Sequence, residues 1–529
     1  MGRAGWKRAL MSGSRPAHVP VLIAGGGPVG LAAAVELGRR GVGCLVVEPR
    51  RQVSTARPRC KTLNVRTMEH LRRWGLADRL RERAPLPVSW SQDVVFCTSL
   101  SGWELSRFTG VLGLSTQGDR FAETGQQAPQ YVLEEVLRAH VAELEPCELL
   151  LGARVAAVHQ DEERATAAIE NEAGERFEVT ADYVLGCDGP RSVVREQIGS
   201  AYVGGQALRP NFGMVFRSRE LWKHVGHGPA VQYWVVNADA PALVGPLDRT
   251  DTWWAIAFGV GAEAGRNSAH RIIDALAGTA VEAEVLSTDP WTARMQIVDR
   301  MRDRRVFLAG DAAHLNPPFG GHGLNTGIGD AVDLGWKIAA VLAGWGGEQL
   351  LNSYEAERRP IQERVIAEAS ANMRVLSTEL LADNLDDADA AGARAREAAG
   401  RRIQETKTAE FHSLELVLEQ RIDSSPVIPG DLGTAAVGRR LAHRQLSDGR
   451  SLFDVLGPDL SLLAGPDARA QADAFEQAAE TCGVPVTRLD LAASSTAPLV
   501  LVRPDQVVAW QGAGVPDARK LIDQVRGGV

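Results

Sequence analysis

The chain has 529 residues, 45% hydrophobic and 23% charged, the balance of a soluble globular protein of about two to four domains and not of a disordered or fibrous one. Lys and Arg number 58 against 66 Asp and Glu, and the net charge of −8 excludes a basic nucleic-acid footprint. No apolar run approaches the roughly 18 residues of a membrane span. Aromatic residues are only 5% of the total, yet Trp222, Tyr233, Trp234, Trp253, Trp254 and Phe258 fall close together in mid-chain.

Residues 1–17 read as a basic tail with neither a signal-peptide core nor a myristoylation pattern, and both Met1 and Met11 stand as candidate starts. The six Cys are scattered singly, without metal-ligand or redox spacing, and read as reduced thiols of a cytoplasmic protein. Val19 to Ala24 forms a buried strand that ends in Gly25-Gly26-Gly27-Pro28-Val29-Gly30. A helix pattern follows to Arg40, then a second strand from Cys44 that ends on Glu48. Strand, glycine turn, helix, strand and acid in this order bind a dinucleotide. Gly25 permits the tight turn, Gly27 lets the backbone approach a pyrophosphate, and Gly30 allows close helix–strand packing. The helix that starts at Pro28 and Val29 offers the unpaired N–H groups of its first turn to the diphosphate, and Glu48 accepts from ribose hydroxyls. Further on, Tyr183–Cys187 is a strand running into Asp188-Gly189. Arg305–Leu308 is another, ending at Gly310-Asp311 and followed by a Pro- and Gly-rich loop, Asn316 to Asn325. Leu324, Ile328, Ala331, Gly335, Ile338 and Leu342 then make the apolar stripe of a helix. Between these segments Phe212–Arg217, Val231–Val236 and Trp253–Val260 alternate as sheet strands.

These three glycine-punctuated segments, in this order between Pro20 and Arg359, resemble the single-component FAD-dependent aromatic hydroxylases of the para-hydroxybenzoate hydroxylase fold. Within that family the chain looks most like the actinomycete branch acting on aromatic polyketides and other phenolic natural products. The resemblance implies an α/β architecture: a Rossmann-like FAD-binding domain of the GR2 type, an inserted β-sheet substrate domain and a thioredoxin-like C-terminal domain. On that basis the FAD domain takes residues 18–91, 123–197 and 295–360, and the substrate domain 92–122 and 198–294. A helical segment spans 361–425, and the C-terminal domain spans 426–529, without a Cys-x-x-Cys pair.

The resemblance also implies site residues. For FAD these are Gly25, Gly27, Pro28, Val29, Gly30 and Glu48, then Arg57 and Arg59, whose spacing leaves open which touches the cofactor. Gln130 opens the helix Tyr131–Glu143 and matches a cofactor-contacting glutamine. Asp188 belongs to a segment contacting FAD and nicotinamide, with Arg195 either in that contact or holding the fold. Asp311 faces the ribityl chain, and Pro317, Gly321, Gly323, Leu324 and Asn325 surround the pyrimidine end of the flavin. For the substrate the candidates are Met214, Gln232, Tyr233, Trp234, Trp253, Trp254, Pro318 and Phe319. No catalytic base is evident. Aligning Arg66-Thr67-Met68-Glu69 with the corresponding segment of phenol hydroxylase-like members puts Lys61 where they carry an aspartate, a weak candidate for stabilising a phenolate. His314 and His322 are read as structural or solvent-facing, not catalytic.

The implied activity is hydroxylation of a phenolic ring through a C4a-hydroperoxyflavin, with NADPH or NADH and O2 as co-substrates. Baeyer–Villiger oxygenation of a polyketide quinone or ketone, non-oxygenating flavin reduction, and plain ligand sequestration stay open as alternatives. The expected partner is a small aromatic substrate, with no nucleic acid and no membrane; self-association into a homo-oligomer is left open.

Overall fold

The computed structural model describes residues 17–56, 61–114, 119–375, 377–429, 436–491, 497–515 and 517–528. Its first sheet is built on the strand His18–Ala24, every residue of which from Val21 on is buried. That strand lies parallel to Cys44–Glu48 on one side and to Arg176–Gly186 on the other. Val306–Leu308 and Cys147–Leu151 extend the two sides, also in parallel. Strands buried on both faces need near-continuous apolar runs, and VLIA and CLVVE supply them. The helix Pro28–Gly38 covers the sheet and packs against a second helix, His322–Leu342. Gly327 and Gly335 make that approach possible, because a Cβ at either would stand 2.7 Å from Val29 or 2.4 Å from Glu36.

The second sheet has eight strands in the order His314–Leu315, Glu284–Val298, Tyr202–Arg217, Thr252–Phe258, Ala242–Pro246, Gln232–Val235, Val94–Cys97 and Glu104–Phe108. It contains the three strands expected from alternation and the expected contribution from around residue 100. Glu284–Val298 pairs with Tyr202–Arg217 along nearly its whole length and carries the sheet to Val298. One face is covered by the helix Ala262–Ala277, whose Ile272, Ile273 and Leu276 join Phe212, Met214, Tyr233 and Trp253 in one core. The other face carries Trp234 and Phe258 and meets Phe319 of the loop before His322–Leu342.

The C-terminal sheet runs Val486–Asp490, Leu460–Ala464, Leu499–Val502, Val508–Gly512, parallel in the first pair and antiparallel in the others. With helices Arg469–Thr481 and Ala518–Val525 this is the βαβ-then-ββα order of a thioredoxin-like unit. Its core is shared with Trp336, Ala340, Trp345 and Leu350, so the unit is packed onto the far end of His322–Leu342. A buried ion cluster closes the seam. Arg503 donates to both oxygens of Glu357 at 2.9 Å and to Asp333 at 3.0 Å, and Lys337 pairs with Asp333 and Glu357. Of the described cysteines, Cys44 and Cys147 are register neighbours with sulfurs 3.4 Å apart, both buried.

Candidate active site

The glycine turn has the shape that each glycine's role requires. Gly25 has φ +101°, and a Cβ there would stand 2.4 Å from the Cys187 carbonyl oxygen. A Cβ on Gly30 would meet the Gly25 carbonyl oxygen at 2.0 Å. Around Gly27, by contrast, nothing lies within 4 Å of the position a Cβ would take. No side chain caps the helix Pro28–Gly38, and the amides of Gly27, Val29 and Gly30 have no partner among the described residues. Open space beside unpaired N–H groups at a helix start is an anion cradle. Glu48 is buried next to it and accepts from the Gly26 amide at 2.8 Å and from Arg50 Nε at 2.7 Å. Its carboxylate is thus fixed at the end of the second strand, where a ribose would present its hydroxyls. These residues fit a dinucleotide.

The second and third segments close around this cradle. Asp188 accepts from Val193 N at 2.8 Å and from Ser192 Oγ, and so caps the short helix Val193–Gln197; burial raises its pKa. Arg195 lies with its guanidinium 4.2 Å from the centre of the Tyr202 ring and donates to the Pro190 carbonyl. Tyr202 in turn donates to the carbonyl of Asp311, an exposed residue just past the strand Val306–Leu308. Gln130 starts its helix as expected and donates to Glu134 at 2.7 Å. Arg57 and Arg59 lie outside the described residues.

In the loop before His322–Leu342, Gly320 and Gly321 take positive φ, +83° and +68°, and Gly321 precedes the helix with no side-chain cap. Pro317 and Phe319 are buried and Pro318 is exposed; Gly323 and Leu324 are half-buried in the first turn. Asn325 has its polar atoms engaged within the chain. Its Oδ1 accepts from Asn64 N at 3.0 Å and Thr67 Oγ1 at 2.7 Å, and its Nδ2 donates to the carbonyls of Thr62 and Gly321. It therefore staples the loop to residues 62–67. His322 is buried, which brings its pKa down to about 4, so it is neutral at physiological pH.

One residue central to this arrangement carries no motif of its own. Asp330 is fully buried in His322–Leu342 and accepts from Gly310 N at 3.1 Å, His314 Nε2 at 2.7 Å, Arg358 Nε at 2.8 Å and Gln362 Nε2 at 3.0 Å. Burial raises its pKa, but Arg358 and His314 outweigh it and hold the carboxyl at about 2. His314 is buried here, with its Nε2 held by Asp330. The sequence signal for Asp330 was slight: an acid one residue before Ala331 of the helix's apolar stripe.

The aromatic group divides between the two faces of the middle sheet. Met214, Tyr233 and Trp253 belong to the core under Ala262–Ala277 and face away from the flavin loop. Strand pairing sets Met214 opposite Ala255, which puts these three candidate substrate residues on the face covered by that helix. Tyr233 spends its hydroxyl on the Gly228 carbonyl at 2.6 Å. Trp234 and Gln232 point the other way. Trp234 is wholly enclosed, stacked on Phe96 at 5.3 Å and 6.2 Å from Phe319. Trp254 and Ile256 are half-buried on that same face. Sequence pattern alone missed Asp289 and Trp291, which pair across the sheet with Gly213 and Asn211 and share this face. Lys61 is buried here too, with Nζ donating to the Val231 and Pro246 carbonyls.

Residues 18–369 match the FAD binding domain family, and residues 434–527 match the C-terminal family of aromatic-ring hydroxylases. The chain belongs to the FAD-dependent aromatic-ring hydroxylases. It is 37% identical over 377 residues to a putative polyketide hydroxylase of Streptomyces halstedii, covering 69% of this chain and 67% of that one. It is 30% identical over 539 residues to 4-methyl-5-nitrocatechol 5-monooxygenase of a Burkholderia species, covering 93% and 94%. Among solved structures, RebC-10x, determined native and with bound K252c, superimposes with a TM-score of 0.89 at 30% identity over 97% of this chain and all of that one. The hydroxylase is thus a flavoprotein monooxygenase with FAD as cofactor and NAD(P)H and O2 as the co-substrates of its class. Among the described residues no helix is long and apolar enough to cross a membrane.

Proposed function

We propose that the hydroxylase inserts one oxygen atom into a phenolic ring bound between the aromatic face of the middle sheet and the loop 317–325. The observation that carries this reading is the meeting of Phe319, on the flavin loop, with Trp234 and Phe258 of the sheet, beside the half-buried Trp254 and Ile256. In this reading the amides of Gly27, Val29 and Gly30 take the diphosphate, with Gly25 and Pro28 shaping the turn. Glu48 takes a ribose, Gln130 and Asp188 border the cofactor, and Asp311 meets the ribityl chain. Pro317, Gly321, Gly323 and Leu324 bring backbone to the pyrimidine end, with Asn325 holding that loop in place. The positive end of His322–Leu342 favours negative charge there. When bound, FAD supplies the redox chemistry, accepting a hydride from NAD(P)H and activating O2.

The chain's own part is to orient and to exclude water. Pro318, Phe319, Trp254, Ile256 and Gln232 wall the substrate, and Trp234 backs Phe319 from within the sheet. The polyketide and nitrocatechol relatives and K252c in RebC-10x favour a small aromatic as substrate. The reading is tested by supplying a phenol panel to FAD-loaded protein. A cognate phenol accelerates NAD(P)H oxidation and leaves with one added hydroxyl. A preparation that cannot be reconstituted with FAD overturns it.

A further inference from the structure

Lys61 sits one residue before the short strand Thr62–Leu63. The Thr62 carbonyl accepts from Asn325 Nδ2 at 2.9 Å, so the position of Lys61 is tied to the flavin loop. From there its side chain reaches the end of the middle sheet. It is 8% exposed, with Nζ held by the Val231 carbonyl, by the Pro246 carbonyl at 3.3 Å, and 4.9 Å from the centre of the Trp254 ring. No carboxylate among the described residues pairs with it. Beside it the Trp254 indole Nε1 is buried and without a partner. Gly245 lets the two meet, since a Cβ there would stand 2.9 Å from Trp254 Nε1, 3.1 Å from Lys61 Nζ and 2.8 Å from the Val231 oxygen.

A buried ammonium is costly unless an anion pairs with it. Two carbonyls and a ring face compensate in part, and an unpaired indole N–H alongside adds a second donor with nothing to bind. Burial alone lowers the Lys61 pKa to about 7, so the amine exchanges its proton readily near neutrality. We propose that Lys61, with the Trp254 N–H, holds an ionised oxygen carried by the aromatic substrate, so that the site selects acidic phenols or ring carboxylates. This rests on the hydroxylase reading and names the substrate class of the same site. When the ligand arrives as a neutral phenol, its O–H proton passes to the unprotonated Nζ, leaving a phenolate paired with an ammonium. No other reactant is needed. The phenolate so held is the electron-rich form that accepts an electrophilic oxygen.

The test uses FAD-loaded protein with two probes, 4-nitrophenol and benzoate. The phenolate of 4-nitrophenol absorbs in the visible and its neutral form does not. Buffered on the acid side of the free phenol's pKa, wild-type protein is expected to bring up the phenolate band on binding. Lys61→Met and Lys61→Gln are expected to bind it about tenfold to a hundredfold more weakly, and without the band, the range for losing a charge-assisted hydrogen bond. Lys61→Arg is expected to keep the band. FAD content and thermal midpoint show that each variant is folded. Lys61-dependent binding of benzoate in place of 4-nitrophenol supports the anion site with a carboxylate as its ligand. An equal band and equal affinity in Lys61→Met overturn the proposal, as does failure of the wild type to bind either anion. If binding depends on Lys61 but no phenol stimulates NAD(P)H oxidation, the hydroxylase reading fails and the anion site stands.

Discussion

Asp330 ties Gly310 and His314 to Arg358 and Gln362, and Asp330→Asn tests how much that joint holds. The substitution keeps the size of the side chain and removes the charge that Arg358 faces. Arg358 would keep the Thr326 carbonyl at 3.0 Å as a neutral partner, a buried guanidinium without its counter-ion. Breaking one partner of such a pair costs about 3–5 kcal/mol. A second magnitude follows from titration. The carboxyl lies at about 2 instead of its ordinary 3.8, which corresponds to about 2 kcal/mol. Because the folded pKa is the lower one, that contribution is complete above about pH 4 and is lost as pH falls toward 2. Urea denaturation at a series of pH values measures both. The wild type should lose about 2 kcal/mol relative to the variant across that window, and the variant should be weaker throughout at neutral pH. Loosening of Gly310 should also raise the Kd for FAD by about tenfold, the effect of roughly one charge-assisted hydrogen bond. A variant within about 1 kcal/mol of wild type, with the same acid profile, would refute this account of Asp330.

Gly27→Ala should leave the apo fold unchanged by urea denaturation, since nothing occupies the Cβ position, yet weaken FAD binding at least about tenfold by obstructing the diphosphate. Gly30→Ala makes the contrast, because its Cβ collides with the Gly25 carbonyl and the fold itself should fail. Tyr233→Phe loses the hydroxyl that serves Gly228 and Ala230; thermal unfolding should register about 1–2 kcal/mol, while kcat/KM for a phenol stays at the wild-type value. Arg503→Met removes the guanidinium that Asp333, Glu357 and Asp505 share, and should cost about 3–5 kcal/mol. Limited proteolysis should then cut within 436–528 before the rest of the chain.

The parts most legible in the sequence were those in which backbone geometry dictates residue type. Gly25, Gly27 and Gly30 each show the steric situation that their spacing implied, and period-two alternation correctly separated the faces of Gln232–Val235 and Thr252–Phe258. Alternation does not say which face meets the flavin loop. That is decided by the helix Ala262–Ala277, which packs over Met214, Tyr233 and Trp253 and leaves Trp254 and Ile256 on the other side. Asp289 and Trp291 were missed because their strand is irregular in polarity and gains its face only through pairing with Tyr202–Arg217. Asp330 and Arg503 were missed for a different reason. Buried ions are recognised by partners distant in the chain, such as Gly310 with Arg358, or Glu357 with Asp333, and no local pattern announces them.

The aromatic cluster that marks the middle of the chain is thus half core and half candidate substrate wall. The account is tested most directly by following the oxygen. FAD-loaded protein, NAD(P)H and a cognate phenol under isotopically labelled O2 should give a product carrying one labelled oxygen atom, detected by mass spectrometry, with NAD(P)H consumed in step. A product labelled from water instead, or NAD(P)H consumption that no phenol accelerates, would contradict it.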